Sequence, residues 1–477
     1  MQIHSYCGFR LNTINSIDIR SPADQRVTLG HMPICTKDHL NQCLTAAKEA
    51  QSRWQFITIE QRIAATLKFA SLVAQNADEL VSTLKLEQAM IDSVVRREID
   101  ESIKQIKQTC QVALKELKSE TLDDGTHNAV IEKVPYGIVG AIVPWNAPIS
   151  LATAKLIPAV LAGNAVIVKP SPRAPLGVTF FLMLANQCFP PGLINIIHGL
   201  EELGHAIVTS RGIRKLTFTG STSVGRLVAE DAAKTLKSVQ LELGGNDAAI
   251  LLPDTDIKNQ ARKIIDSAFR RSGQFCYATK RVYVHESIHD ELIDQLCILV
   301  DKLKIGSPKD PETTLGPVID KLAQGRLNSL IQSAKDSGAV VRSGGVTLPT
   351  ADLQNGCYVL PTLIWDVDPS HPIVAEEQFG PILPIVKYTD IEQVIDEINS
   401  QEYGLSGSVW GADSTTCSMY ASRLEVARVF INAAKANGAF SGELPAGGHK
   451  QSGVGWEKSI YGLREYYQYR TINRSND

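Results

Sequence analysis

Between residues 137 and 243, continuous apolar runs alternate with helical segments, and no other feature constrains the fold as strongly. Residues 137–143, 165–168, 193–197, 215–218 and 238–243 read as strands. Residues 148–161, a stretch ending near Asn186, 203–210 and 224–236 read as helices. Pro148 suits a first helical turn, where its missing N–H would have had no partner. Strands that are apolar at every position, rather than every second one, need cover on both faces. That implies a parallel sheet flanked by helices. Ligands of such sheets bind beyond the carboxyl ends of the strands.

The flanks are read the same way. Residues 36–117 carry helical spacing (Leu40, Leu44, Ala47, Ala50, then Ile63, Leu67, Ala70). Residues 1–20 carry little signal, and Ser21-Pro-Ala-Asp24 has turn chemistry. Asp123-Asp124-Gly125 signals a hairpin turn before a strand at 128–134. A second α/β alternation covers 244–453, with strands at 280–284 and 428–431 and helices at 290–302 and 322–337. A last strand is expected at 465–472, which is rich in Tyr and Thr. It has no partner nearby in sequence, so pairing with 128–134 of the same or another subunit is expected, and with it a homodimer or homotetramer.

Composition narrows the function. The 48 basic and 51 acidic residues leave a formal charge of −3, which offers no footprint for nucleic acid or an anionic membrane. The most apolar stretch, 149–168, is interrupted by Lys155, Pro158, Gly163 and Asn164, so no membrane span is expected. The nine cysteines show no C-x-x-C spacing and the first residues do not read as a secretory signal. A metal-free protein with free thiols, in the cytoplasm, is expected.

Three positions carry chemistry. Gly220-Ser221 follows a strand and precedes a helix: a glycine to turn the backbone, a hydroxyl to donate, and a helix N-terminus that favours an anion. Read blandly, it is only a turn. Cys276 follows Gly273-Gln-Phe, where small residues let another molecule approach. Most single cysteines are merely small buried hydrophobes. Glu242 sits between leucines at a strand end, before Gly244-Gly245, and is no ordinary surface charge. It is either half of a buried ion pair or a general base whose pKa burial has raised.

Together with four further pieces these residues resemble the aldehyde dehydrogenases that use a cysteine nucleophile and NAD(P). The matching segments are Val143-Pro-Trp-Asn-Ala-Pro148, Ala162-Gly-Asn with Lys169-Pro-Ser171, Phe218-Thr-Gly-Ser-Thr222, Leu241-Glu-Leu-Gly-Gly245, Gly273-Gln-Phe-Cys276, Glu376-Glu-Gln-Phe-Gly-Pro381 and Gly447-Gly-His-Lys-Gln-Ser-Gly453. Each is weak alone; all seven in the family's order, with Cys276 34 residues after Glu242, are specific.

The resemblance implies an α/β protein. It would have a Rossmann-like cofactor domain (1–117 and 136–243), an α/β catalytic domain (244–454) and a small β oligomerisation arm (118–135 and 455–477). It implies Cys276 as nucleophile, Asn146 as oxyanion donor and Glu242 as the base that hydrolyses a thioester. Lys169, Ser221, Trp145, Gly220, Glu377 and Phe379 would hold the cofactor. NAD is the first expectation, but Pro172 stands where the family often has a ribose-binding Glu, so NADP is compatible too. Ala147 stands where the family commonly has Phe, which widens the substrate tunnel, while Phe275 and Tyr277 return aromatic surface to it. A bulky or aromatic aldehyde is expected. Arg271, five residues before the nucleophile, could meet an acidic substrate but is read as a surface or interface ion pair. Two rival readings, a catalytically silent member of the fold and a cofactor-free thiol esterase, require loss of Cys276, Glu242 or Asn146, or of the cofactor set; all are present.

Overall fold

The computed structural model describes residues 3–124, 126–434 and 442–475. Gly125, the last residue of the expected hairpin turn, lies outside the described residues. Helices Lys37–Trp54, Ile59–Gln75, Ala77–Gln88 and Asp92–Glu116 account for the long helical stretch. Thr58 caps the second, accepting from the Gln61 N–H at 3.3 Å while Gln61 returns to the Thr58 N–H. The segment with little signal in sequence forms a hairpin, Ser16–Ser21 with Asp24–Pro33, turned at Pro22-Ala23.

The alternating region folds into a six-stranded sheet in the order Gly453–Val454, Ser238–Glu242, Lys215–Thr219, Ile138–Ile142, Ala165–Lys169, Ile194–Ile196. Every pairing is parallel except that of Gly453–Val454. Residues 165–169 are buried throughout, as two-sided cover requires. A seven-stranded sheet runs Val340–Ser343, Thr362–Trp365, Ile382–Tyr388, Arg281–His285, Ala248–Leu251, Ser406–Trp410, Arg428–Ile431. It is parallel except for its first strand. The carboxyl ends of the central strands of the first sheet meet loops of the second region, and the site lies there.

One expectation needs correction and another is completed. The boundary at 454 cuts through a structural unit. Gly453–Val454 joins the first sheet beside Ser238–Glu242, and Ser459–Arg464 is a helix tied to Asp92–Glu116 through Arg464 and Glu116 at 2.7 Å. Only Tyr467–Ser475, His127–Pro135 and Glu120–Asp123 form the β arm. The expected pairing of the last strand with 128–134, open between the same and another subunit, is made within the chain. Tyr467–Ser475 pairs antiparallel with His127–Pro135 over nine positions, so the open edges are the outer ones, Tyr467–Ser475 and Glu120–Asp123. Among the described residues no helix is long and apolar enough to cross a membrane.

Candidate active site

Cys276 sits on a turn that the chain holds from several sides. Arg271, Ser272 and Gly273 all have positive φ (54°, 56° and 74°). A Cβ on Gly273 would lie 2.0 Å from the Gly380 carbonyl oxygen, so only glycine fits that position. Lys280 Nζ donates to the carbonyls of Phe275 (2.7 Å) and Cys276 (3.0 Å). Gln274 Oε1 accepts from the Ile319 N–H at 2.8 Å, and Ser272 Oγ donates to Gly316 O at 2.8 Å.

Arg271 proves to be buried rather than a surface or interface residue, because its guanidinium finds two partners inside. It pairs with Glu98, itself buried, and donates through Nη1 to the Asn146 carbonyl at 2.7 Å. Glu98 also accepts from the Ile149 N–H (2.8 Å) and the Ser150 N–H (3.1 Å), at the start of helix Pro148–Leu161. One ion pair thus ties the nucleophile's turn, the Asn146 backbone and a helix N-terminus together. Sequence reasoning passed over Glu98 because charge on an amphipathic helix normally faces water.

Cys276, Glu242, Asn146, Ala147, Phe275 and Tyr277 line one cavity of about 300 Å³. Asn146 Nδ2 donates to Gln274 O at 3.2 Å, which leaves its second amide hydrogen for another acceptor. Burial pushes the Cys276 thiol up to about 12, an effect that Lys280 opposes and Glu242 adds to. Burial pushes Glu242 up to about 8, with repulsion from Glu457 next; Lys155, Lys458 and Arg428 pull the other way. Glu242 Oε1 is buried with no hydrogen-bond partner. Behind it, Lys155 forms a buried pair with Glu457 and donates to Thr219 Oγ1 at 2.7 Å. A single lysine in the otherwise apolar 148–161 helix was the sequence signal for this pair.

The tunnel wall differs from an apolar slot. The Arg270 guanidinium lies 4.9 Å from the Phe275 ring centroid, and that of Arg428 lies 5.2 Å from the Tyr277 ring centroid. Both rings therefore have a cation stacked on one face.

The expected cofactor residues gather at the strand ends. Lys169 closes its strand, and Gly220 N–H donates to Glu242 O at 3.1 Å, joining two strand ends. Ser221 caps helix Thr222–Ala233, accepting from the Val224 N–H at 3.4 Å. Trp145 and Phe379 meet edge to face at 5.8 Å, and Lys280 lies 5.7 Å from the Phe379 ring centroid. Two groups here want a ligand. Lys169 is buried and has no ion pair or hydrogen bond from its ammonium among the described residues; burial lowers its pKa to about 8. Glu377 Oε1 is buried without a hydrogen-bond partner, its closest cation being Lys280 at 3.6 Å. An unpartnered ammonium, a buried carboxylate oxygen held only by a long ion pair and a helix N-terminus at parallel strand ends fit a dinucleotide with ribose hydroxyls and a pyrophosphate.

Comparison with known proteins agrees with this geometry. The model of the aldehyde dehydrogenase family matches residues 10–472. Aldehyde dehydrogenase LUC3 of a Fusarium species is 33% identical over 448 residues, covering 94% of this chain and 93% of the relative. Among solved structures, an E. coli NADP-dependent enzyme superposes with a TM-score of 0.94 at 29% identity, covering 99% of this chain and 98% of that one. Betaine aldehyde dehydrogenase from Staphylococcus aureus, in complex with NAD+, gives a TM-score of 0.94 at 28% identity, covering 99% and 95%. The chain belongs to the aldehyde dehydrogenase family and is an oxidoreductase acting on an aldehyde.

Proposed function

We propose that the chain oxidises an aldehyde to the carboxylic acid with NAD(P)+, by way of a thioester on Cys276. The observation that carries this reading is the single cavity shared by a half-buried thiol, a buried carboxylate with an unsatisfied oxygen and a primary amide. At neutral pH the Cys276 thiol keeps its proton, so attack on the carbonyl carbon needs a base within the cavity, and Glu242 is the carboxylate there free of an ion pair. The free amide hydrogen of Asn146 and the Cys276 N–H stabilise the oxyanion as it forms. The nicotinamide, when bound, supplies the hydride acceptor. Glu242, once it has passed the thiol's proton to solvent, takes a proton from the water that attacks the thioester, and returning that proton to the leaving sulfur releases the acid and restores the thiol. Its unsatisfied oxygen is where that water would hydrogen-bond.

Lys169 and Glu377 serve cofactor ribose hydroxyls, and Ser221 and Gly220 the pyrophosphate. Trp145 and Phe379 form the groove wall. Pro172 brings no charge against a 2′-phosphate, which keeps both NAD and NADP within reach. Ala147 gives the tunnel its width. Leu122, Tyr469 and Ile472 are exposed on the arm beside its open edges, which supports a homodimer or homotetramer, and nine free cysteines support a reducing compartment such as the cytoplasm. The test is growth of the reduced-nicotinamide absorbance with each cofactor and a panel of aldehydes. No growth with any pair would overturn the reading; a monomer by light scattering would overturn the assembly.

A further inference from the structure

The cavity around Cys276 carries more positive charge than the reaction uses. Of its carboxylates, Glu98 is committed to Arg271 and Glu457 to Lys155. Burial pushes Glu242 towards its neutral form while Arg428 and Lys458 draw it back, and Glu101 is exposed at the rim. Against these stand Arg428 and Lys458, both half-buried and both lining the cavity. Neither has an ion pair among the described residues.

The placement of these two cations is costly. The Arg428 guanidinium is held between Tyr277 and Phe430, 5.2 Å and 5.5 Å from their ring centroids. Lys458 is close enough to feel its repulsion, which adds to burial in lowering the ammonium pKa. Lys458 also has φ 61° and ψ 170°, a conformation open essentially to glycine alone, and Ser459 follows at φ 52°. Beside them the Tyr277 hydroxyl is buried with no hydrogen-bond partner. Two like charges, a strained backbone and an orphaned donor on one wall are only partly offset by the rings around Arg428 and the pull of nearby carboxylates. They become favourable when an anion shares the cavity.

We propose that Arg428 and Lys458, with the Tyr277 hydroxyl, form an anion subsite beside the nucleophile, and that the physiological aldehyde carries a carboxylate at the end away from its carbonyl. The proposal rests on aldehyde oxidation at Cys276 and names the class of aldehyde that this site takes. The planar guanidinium receives the carboxylate oxygens side by side, and the ammonium adds a point charge. The stacked guanidiniums also make the wall a poor surface for an uncharged aromatic substrate. On this proposal an acidic end of the aldehyde, rather than the bulky or aromatic body expected from Phe275 and Tyr277, meets this wall.

The experiment compares kcat/KM for a series of ω-carboxyaldehydes with straight-chain aldehydes of matched length, and with a phosphorylated hydroxyaldehyde, in wild type and in Arg428→Met and Lys458→Met. Wild type should prefer the carboxylate series. Each variant should lose roughly 10- to 150-fold more on that series than on uncharged aldehydes, the range of a charge-assisted hydrogen bond, any effect through Glu242 being common to both series. Added salt should narrow the wild-type preference, a measurement that stands even if a variant fails to fold. Equal or better turnover of the uncharged series by wild type overturns the subsite while leaving aldehyde oxidation intact. So does equal loss on both series in a folded variant. Preference for the phosphorylated substrate overturns the carboxylate assignment. Inactivity of wild type towards every aldehyde removes the underlying reaction, and the subsite with it.

Discussion

Replacing Arg271 with methionine keeps much of the side-chain length but removes the cation that Glu98 faces and a donor to the Asn146 carbonyl. Breaking a buried ion pair by deleting one partner typically costs about 3–5 kcal/mol, because the other charge is left uncompensated. Here Glu98 retains the Ile149 and Ser150 N–H groups, so the lower end, about 3 kcal/mol, is expected. That is a large part of the ~5–15 kcal/mol of a typical domain, yet the chain should still fold. Activity should fall further than stability suggests. The same guanidinium positions Asn146 and begins the turn that ends at Cys276, and a misplacement of about 1 Å in such a site costs on the order of 10²-fold in rate. Urea unfolding and kcat would be measured for Arg271→Met, Glu98→Gln and the double variant. The double variant should be more stable than the two single losses sum to, since it leaves neither charge unpaired. Single variants within about 1 kcal/mol of wild type, or strict additivity, would refute the reasoning.

Other consequences follow from the same site. Cys276→Ser should lose aldehyde oxidation by at least about 10³-fold while cofactor binding, followed by fluorescence, is retained, since the hydroxyl is far harder to ionise. In Glu242→Gln, steady turnover should fall about 10²–10⁴-fold. A burst of reduced cofactor in rapid mixing would confine Glu242 to deacylation, and its loss would show that Glu242 also activates the thiol. In wild type, deacylation-limited turnover should rise with pH through about 8 as Glu242 loses its proton, and this rise should vanish in Glu242→Gln. Ala147→Phe should spare small aldehydes and reduce kcat/KM for larger ones by roughly 5- to 150-fold, the effect of about 1–3 kcal/mol of overpacking. An unchanged ratio of large to small substrate would mean Ala147 does not set the tunnel width.

What the sequence determined by itself is whatever depends on local pattern. Apolar runs covered on both faces define the parallel sheet, and Cys276, Glu242, Asn146 and the small residues around them stand in motifs of fixed spacing. Their meeting in one cavity follows because parallel strands deliver their carboxyl ends to a common edge. Tertiary structure decided the partners of charges, which come from anywhere in the chain. Arg271 reads as a surface residue until Glu98, 173 residues away, is folded against it. The strand at Tyr467–Ser475 has an open edge until His127–Pro135, over 300 positions earlier, supplies its ladder. Arg428 and Lys458 look like ordinary solvated cations, and only the packed cavity shows that both line the active site without an ion pair among the described residues. Periodicity records which face of an element is buried, whereas pairing across long loops is fixed only when those faces are packed together.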